Sequence, residues 1–375
     1  MNKFLMKKFL VIAAVLAFAS VLSAKSYEYR QLYKDPKIMA AGGAAVASGG
    51  SFSALFHNPA GLARIPKENG WEFQVLNIAA GVNKNIADLK DISDKKDDEA
   101  KVAEELEKHI GDRYNVSVST VPISIAKMFD ETAFGIGAVA SGEVSAVVHQ
   151  GFGAQGVVEA EALVVGGGVG GIAHNFDEFG IGGYPLNRLS VGIGAKVLRY
   201  GKLARSYSAQ DIANDEFNKA EDEVEEGGST VFDIGAIYDI YPNISVGASV
   251  MNMGGIAEDF IPATFNVGVS YVYRIEDQTF FNQLRISADY IDITRQYEDE
   301  SFVKRTKVGA ELNVWDGWLS TFALQAGLYQ GAFTGGLSMR VSLVEIALAT
   351  FAEEVGAYSG QEQDRRYMVS VGVTW

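Results

Sequence analysis

The stretch from Tyr367 to Trp375 constrains the fold of this chain more than any other. Tyr367, Val369, Val371, Val373 and Trp375 are apolar, and Met368, Ser370, Gly372 and Thr374 stand between them. A period of two makes an extended strand with one apolar face and one small or weakly polar face. Such a strand, finishing on an aromatic residue, fits the closing strand of an outer-membrane β-barrel. It also fits the last strand of a soluble β-domain, so further features must decide.

The other end of the sequence bears on the choice. Residues 1–24 read as a secretory signal: Lys3, Lys7 and Lys8 are a basic lead-in, Phe9 to Ala19 is an apolar run, and Ser23 and Ala24 offer a cleavage point. The run is too short for a membrane-spanning helix, which needs about 20 apolar residues. No cysteine occurs, which excludes a disulfide framework and a lipid-modified cysteine anchor.

After residue 114 the chain is a series of short alternating segments divided by turn residues. Leu189, Val191, Ile193, Ala195 and Val197 alternate with Ser190, Gly192, Gly194 and Lys196, and Phe265 to Tyr273 repeats the pattern. Counting such segments gives roughly fourteen of about ten residues, the length a tilted strand needs to cross a bilayer. With Trp375 placed in the periplasm, the connections 353–365, 293–303, 254–262, 200–229 and 80–113 fall outside. Most are long and polar, whereas 315–319 and 239–242 on the inner side are tight. This asymmetry belongs to bacterial barrels and has no reason to arise in a soluble sandwich. The expected fold is therefore all-β: a transmembrane antiparallel barrel of about 14 strands over 71–375, with 12 or 16 as alternatives because 131–175 could hold two strands or four. Helical spacing is expected in two outer connections, at 85–110 and 211–226.

Composition agrees. Glycine is abundant (41) and proline scarce (7), as in barrels whose inner face is crowded. The net charge of −15 becomes −18 once the signal, with three lysines and no acids, is removed. That balance speaks against nucleic acid as a partner, since phosphate binding needs clustered cations. Catalytic motifs are wanting. Gly166 to Gly171 matches a dinucleotide-loop pattern, but the required helix does not follow, because Gly180, Gly182 and Gly183 interrupt it. His57, His109, His149 and His174 lack metal-ligand spacing, and no Gly-x-Ser-x-Gly elbow is present. No enzyme, metal or cofactor is expected.

Residues 35–63 are not strand-like. Small residues dominate at Ala40 to Ala44 and Ala47 to Gly50, followed by Phe56-His57-Asn58-Pro59-Ala60-Gly61. Pro59 fixes a turn and Gly61 can relax it. A compact segment of small residues ahead of a first strand at Trp71 to Ala79 suits a plug inside a barrel, so 25–70 is expected to form an N-terminal hatch. The Gly42-Gly43-Ala44 stretch, the Asn58-Pro59-Ala60 motif behind it and the terminal aromatic strand together resemble the FadL-type outer-membrane proteins. That superfamily includes importers of fatty acids and hydrocarbons and the TraF-like and PorV-like barrels. The resemblance spans the mature chain in layout, and in motif only this segment and the last strand. It implies a hatch turn at Asn58, Pro59, Ala60 and Gly61, with Phe56 and His57 beside a ligand route. It also implies a diffusion channel for hydrophobic small molecules. The alternative is a non-transporting barrel that docks secreted or membrane proteins, which the C-terminal third (335–366) resembles more. Tyr367, Val369, Val371, Val373 and Trp375 would be read by the barrel-assembly machinery, and lipid would surround the wall.

One sector of the lumen can be anticipated from charge. Arg285 and Asp289 share a polar face, as do Lys307 and Glu311 on the following segment. Arg or Lys facing lipid at the midplane costs about 2–4 kcal/mol. All four should therefore point inward and pair across the strands, Arg285 with Glu311 and Asp289 with Lys307, forming a charged wall. An apolar ligand would then pass nearer Asn58 to Ala60.

Overall fold

The computed structural model describes residues 28–66, 71–88, 99–149, 158–176, 188–208, 211, 223–258, 260–275, 278–297, 301–356 and 358–375. The signal expected over 1–24 lies outside them. Fourteen strands close into one antiparallel barrel in chain order, β1 sealing against β14. They are β1 (Trp71–Asn83), β2 (Arg113–Phe129), β3 (Thr132–Val148), β4 (Val158–Phe176), β5 (Leu189–Tyr207), β6 (Glu225–Tyr241) and β7 (Ile244–Met253). The circuit continues through β8 (Thr264–Arg274), β9 (Phe280–Tyr290), β10 (Thr306–Asp316), β11 (Ser320–Tyr329), β12 (Ala332–Val341), β13 (Val344–Glu354) and β14 (Gln363–Thr374). Residues 131–175 thus hold two strands, not four.

The direction of the alternation settles what kind of barrel this is. On β5, Ile193 and Val197 are 55% and 64% exposed while Lys196 between them is 2% exposed. Phe232 and Ile234 on β6 are exposed and Asp233 is buried; Ile286 on β9 is exposed and Asp289 buried. Apolar side chains point out and polar ones point in, which is stable only with hydrocarbon around the wall. Tyr367, Val369 and Val371 of β14 lie on that outer face, with Met368 and Ser370 turned inward. Trp375 exchanges main-chain hydrogen bonds with Phe73 (2.7 and 3.0 Å) and stacks on its ring. Around that end Trp71, Phe129 and Phe134 pack edge-on or stacked, and Phe280 meets Trp315 farther round. Such aromatic rings belong at a membrane–water boundary.

Strand length departs from the expected ten residues. β2 to β6 run 17 to 19 residues, whereas β7 to β14 run 10 to 12. β5 continues to Tyr207 and β6 begins at Glu225, so much of the expected loop 200–229 is strand. A tilted strand of 9–11 residues suffices for a bilayer, so this side of the wall rises well beyond it. The inner surface of the raised part is an apolar cluster that includes Tyr114, Val144, Ala160 and Leu203. A helix, α2 (Glu99–Lys108), covers it with Val102 and Leu106, following the short helix α1 (Pro36–Ala40). The helical spacing expected within 85–110 is realised there. Of the second expected helix, 212–222 fall outside the described residues, and Glu225 and Glu226 belong to β6.

Residues 28–65 sit within the ring. They bond to strands on every side: Phe52 N–H to Glu72 of β1 (3.1 Å), Ala63 O to Asn175 of β4 (2.8 Å) and Asn58 to Ala236 O of β6 (3.2 Å). Ala45 and Val46 N–H reach Asp289 of β9 (2.6 and 2.9 Å), and Ala40 O accepts from Thr334 of β12 (2.8 Å). Only a segment enclosed by the wall can touch all of these strands. Its close approach depends on inward glycines. Gly137 is met by Phe52, Gly171 by Leu55, Gly192 by Pro59 and Ala60, Gly235 by Asn58, Gly247 by Val46, Gly309 by Ala41 and Gly336 by Ala40. At each, an added Cβ would overlap the segment. The glycines of 166–171 are part of β4, which accounts for them without a nucleotide.

Candidate functional site

The segment is built by turn chemistry. Asp35 caps α1 through Lys37 N–H (2.9 Å), with Pro36 at the first helical position. Asn58 caps the 3-10 turn Pro59–Arg64 in the same way, accepting from Ala60 N–H (3.1 Å). Its amide nitrogen donates to Val46 O (2.8 Å), and beyond that to Ala236 O and Ala248 O of the wall. Asn58 is fully buried. One side chain thus holds the turn, the preceding loop and two strands together. Asn58→Ala leaves these carbonyls short of a donor at about 1–3 kcal/mol for each buried group. The expected outcome is a lowered unfolding midpoint together with faster proteolysis within 35–63. An unchanged midpoint would show that the turn is held by Pro59 packing alone.

Two cavities flank the segment. One, of about 80 Å³, lies toward the long connections and is bordered by Tyr29, Lys196, Asn266, Asp289, Tyr297 and Lys307. The other, of about 190 Å³, lies toward the short turns and is bordered by Ile38, Ala44, Ala54, Arg285, Ser287 and Glu311. His57 borders both, and it is the one residue common to the two linings. Phe56 lines the first, whereas Asn58, Pro59, Ala60 and Gly61 line neither. The two cavities therefore share a border at His57, the residue directly before the motif.

The His57 main chain is fixed by Ser249, whose hydroxyl donates to its carbonyl (2.9 Å), while Nε2 is shielded from solvent with no hydrogen-bond partner. Burial, followed by the Lys307 and Lys196 ammonium groups, pushes the imidazole down to about 3. The unfolded chain protonates near 6.5, so between pH 6.5 and 3 it binds the proton that the folded chain refuses. Stability therefore falls as pH drops through that window. His57→Gln is expected to flatten this part of a stability–pH curve; a curve of unchanged slope would place the imidazole in contact with water.

The charged sector has the geometry of a docking face. In the β9–β10 register Arg285 stands opposite Glu311 and Asp289 opposite Lys307. Arg285 lies 3.6 Å from Glu311. Asp289 directs one carboxylate oxygen at the Ala45 and Val46 N–H groups, and Lys307 sits 5.1 Å over the Tyr329 ring. Asp289 and Lys307 are both buried.

Two features of the site carry no short-range signal in sequence. Asp239 binds Arg64 (2.5 Å) and Arg188 (3.2 Å), tying the end of the segment to β6. Arg366 of β14 binds Glu28 (2.7 Å), Glu143 (2.6 Å) and Asp364 (2.8 Å) within the barrel. Lys34, 3.3 Å from Glu143, joins the same network and fastens residues 28–34 to the wall.

No family model matches the sequence, and no curated relative does. Solved structures do match. The Ralstonia pickettii toluene transporter TbuX aligns over 92% of this chain and 98% of its own, with a TM-score of 0.53 at 13% identity. The Pseudomonas putida toluene transporter TodX aligns over 92% and 99%, with a TM-score of 0.49 at 11% identity. The fold of this chain is accordingly the barrel fold seen in TbuX.

Proposed function

We propose that the protein is a passive outer-membrane channel for hydrophobic small molecules of about one aromatic ring in size, with residues 28–65 acting as its hatch. The observation that carries this reading is the pair of cavities on either side of the segment, both bordered by His57. Ile38 and five alanines give the larger one an apolar side, opposite a polar side that includes Asp35, Lys37, Arg285 and Glu311, and its roughly 190 Å³ exceeds the order of 150 Å³ that accommodates benzene. Each methylene a guest buries there contributes about 0.8 kcal/mol. A long acyl chain would need the segment to move, so a hydrocarbon suits the resting geometry better than a fatty acid.

The reading is tested by uptake of labelled toluene and labelled oleate into cells lacking their own hydrophobic channels. Expression should raise the initial toluene rate several-fold and leave oleate unchanged. His57→Trp, which fills the junction, should abolish most of the gain. If the protein assembles in the outer membrane and neither rate rises, the channel reading is wrong. The ion pairs and hydrogen bonds that fasten the segment all round favour one other reading, a closed barrel that docks secreted or membrane proteins. Recovery of a stoichiometric protein partner, with no uptake, would select it.

A further inference from the structure

We propose that the base of the first outer connection is a binding site for a divalent first-row transition metal, made by Asp88, His109 and Asp112. Asp88 ends the 3-10 turn Ile86–Asp88 that follows β1, and His109 and Asp112 follow α2 just before β2. One donor atom from each lies within 4.8 Å of the other two. His109 Nδ1 and Asp112 Oδ2 are already 2.9 Å apart. Metal–donor bonds of about 2.0–2.2 Å place tetrahedral neighbours roughly 3.4 Å from each other. Two donors thus stand close to working separation, and Asp88 offers a third within 4.8 Å of both.

A second observation points to a guest. Tyr114, 3% exposed, buries its hydroxyl without any hydrogen-bond partner. Its ring packs edge-on against His109 (6.5 Å between centroids). A buried hydroxyl with no partner is costly and calls for an explanation. A water held in an open position of the metal would accept from it. Glu105, with an oxygen 3.7 Å from His109 Nε2, borders the cluster from α2 and is engaged by Lys108 (3.1 Å).

The donor set selects the ion class. Imidazole with two carboxylates suits Zn²⁺, Co²⁺ or Mn²⁺, whereas Ca²⁺ takes six to eight oxygens and has no use for the ring. Such an ion would join the end of β1, the end of α2 and the start of β2. It would fix the helix that covers the apolar inner surface of the raised wall.

The test is titration of the full-length, untagged protein in detergent with Zn²⁺, and with Co²⁺ for its visible spectrum. One equivalent should bind, with a Co²⁺ spectrum of low-coordinate nitrogen–oxygen ligation, and Ca²⁺ should not compete. His109→Ala and Asp88→Asn should each weaken binding at least tenfold, and Tyr114→Phe a few-fold. His149→Ala, altering an exposed histidine paired with Glu159, should change nothing. Heat-modifiable migration identifies properly folded variants. Binding that survives in the His109→Ala, Asp88→Asn double variant, or absence of a one-equivalent site for Zn²⁺ and Co²⁺ in the parent, overturns the proposal.

Discussion

Gly309→Val is expected to unseat the N-terminal segment while the barrel itself still closes. The added side chain would occupy the space of the Ala41 carbonyl, and that carbonyl belongs to backbone, which cannot rotate aside. Overpacking of this kind costs about 1–3 kcal/mol when neighbours can give. Here the neighbour is pinned by Thr334, which bonds both Ala40 O and Gly42 N–H, so the cost should reach the upper part of that range. The wall loses nothing, because β-branched residues suit a strand and the β9, β10 and β11 ladders are made by main chain. Three readouts should move together: a lower unfolding midpoint, cleavage at Lys37 or Arg64 in the intact barrel, and larger ion conductance in planar bilayers. Gly168→Val is the control, since an added Cβ there meets nothing within 4 Å. If Gly309→Val behaves like Gly168→Val, the segment is not seated by glycine contact.

This outcome bears on what the sequence could and could not convey. The glycine count and the period of two were visible, and together they indicate a barrel with a crowded inner face. The partner of each glycine was not visible, because the contacts join residues far apart: Gly309 with Ala41, Gly235 with Asn58. The pairing of Arg285 with Glu311 follows from hairpin register, a local property that alternation fixes. The use of Asp289 does not. Its carboxylate receives two backbone N–H groups from Ala45 and Val46, and no rule of cross-strand pairing predicts a partner from the N-terminal segment. Strand length exceeds the ten-residue expectation for a related reason. Alternation continues above the bilayer wherever something apolar covers the inner face, and on β2 to β5 that cover is Val102 and Leu106 of a helix. Asp88 and His109 are separated by twenty-one positions, so no spacing motif could place them together.

Arg366→Met should be among the most damaging single substitutions in this chain. The guanidinium, 3% exposed, bonds Glu28, Glu143 and Asp364, and Lys34 reaches Glu28, Glu143 and Glu353 in the same enclosure. Removing one partner of a buried ion pair costs about 3–5 kcal/mol, because the remaining charges stay desolvated. Here several carboxylates would be left with Lys34 and Arg30 alone. Arg366→Lys keeps the charge and loses the fork that bonds three acids at once, so an intermediate loss is expected. Glu28 gives the arrangement a pH signature. Burial raises its carboxyl, but Arg366, Lys34 and Arg30 outweigh that and hold it well below its ordinary 4.5. A depressed acid contributes stability that is fully present above about 4.5 and drains away as pH falls below it. Glu28→Gln should therefore reduce stability at neutral pH and remove part of the acid sensitivity below 4.5. In the Arg366→Met background the same substitution should cost less, or restore stability, because one unpaired carboxylate disappears. Urea or thermal midpoints at neutral and acid pH for the four members of that cycle measure the coupling. Additive effects would mean that Glu28 and Arg366 do not share an enclosure, and that the first described residues are held by packing of Tyr29, Leu32 and Tyr33 alone.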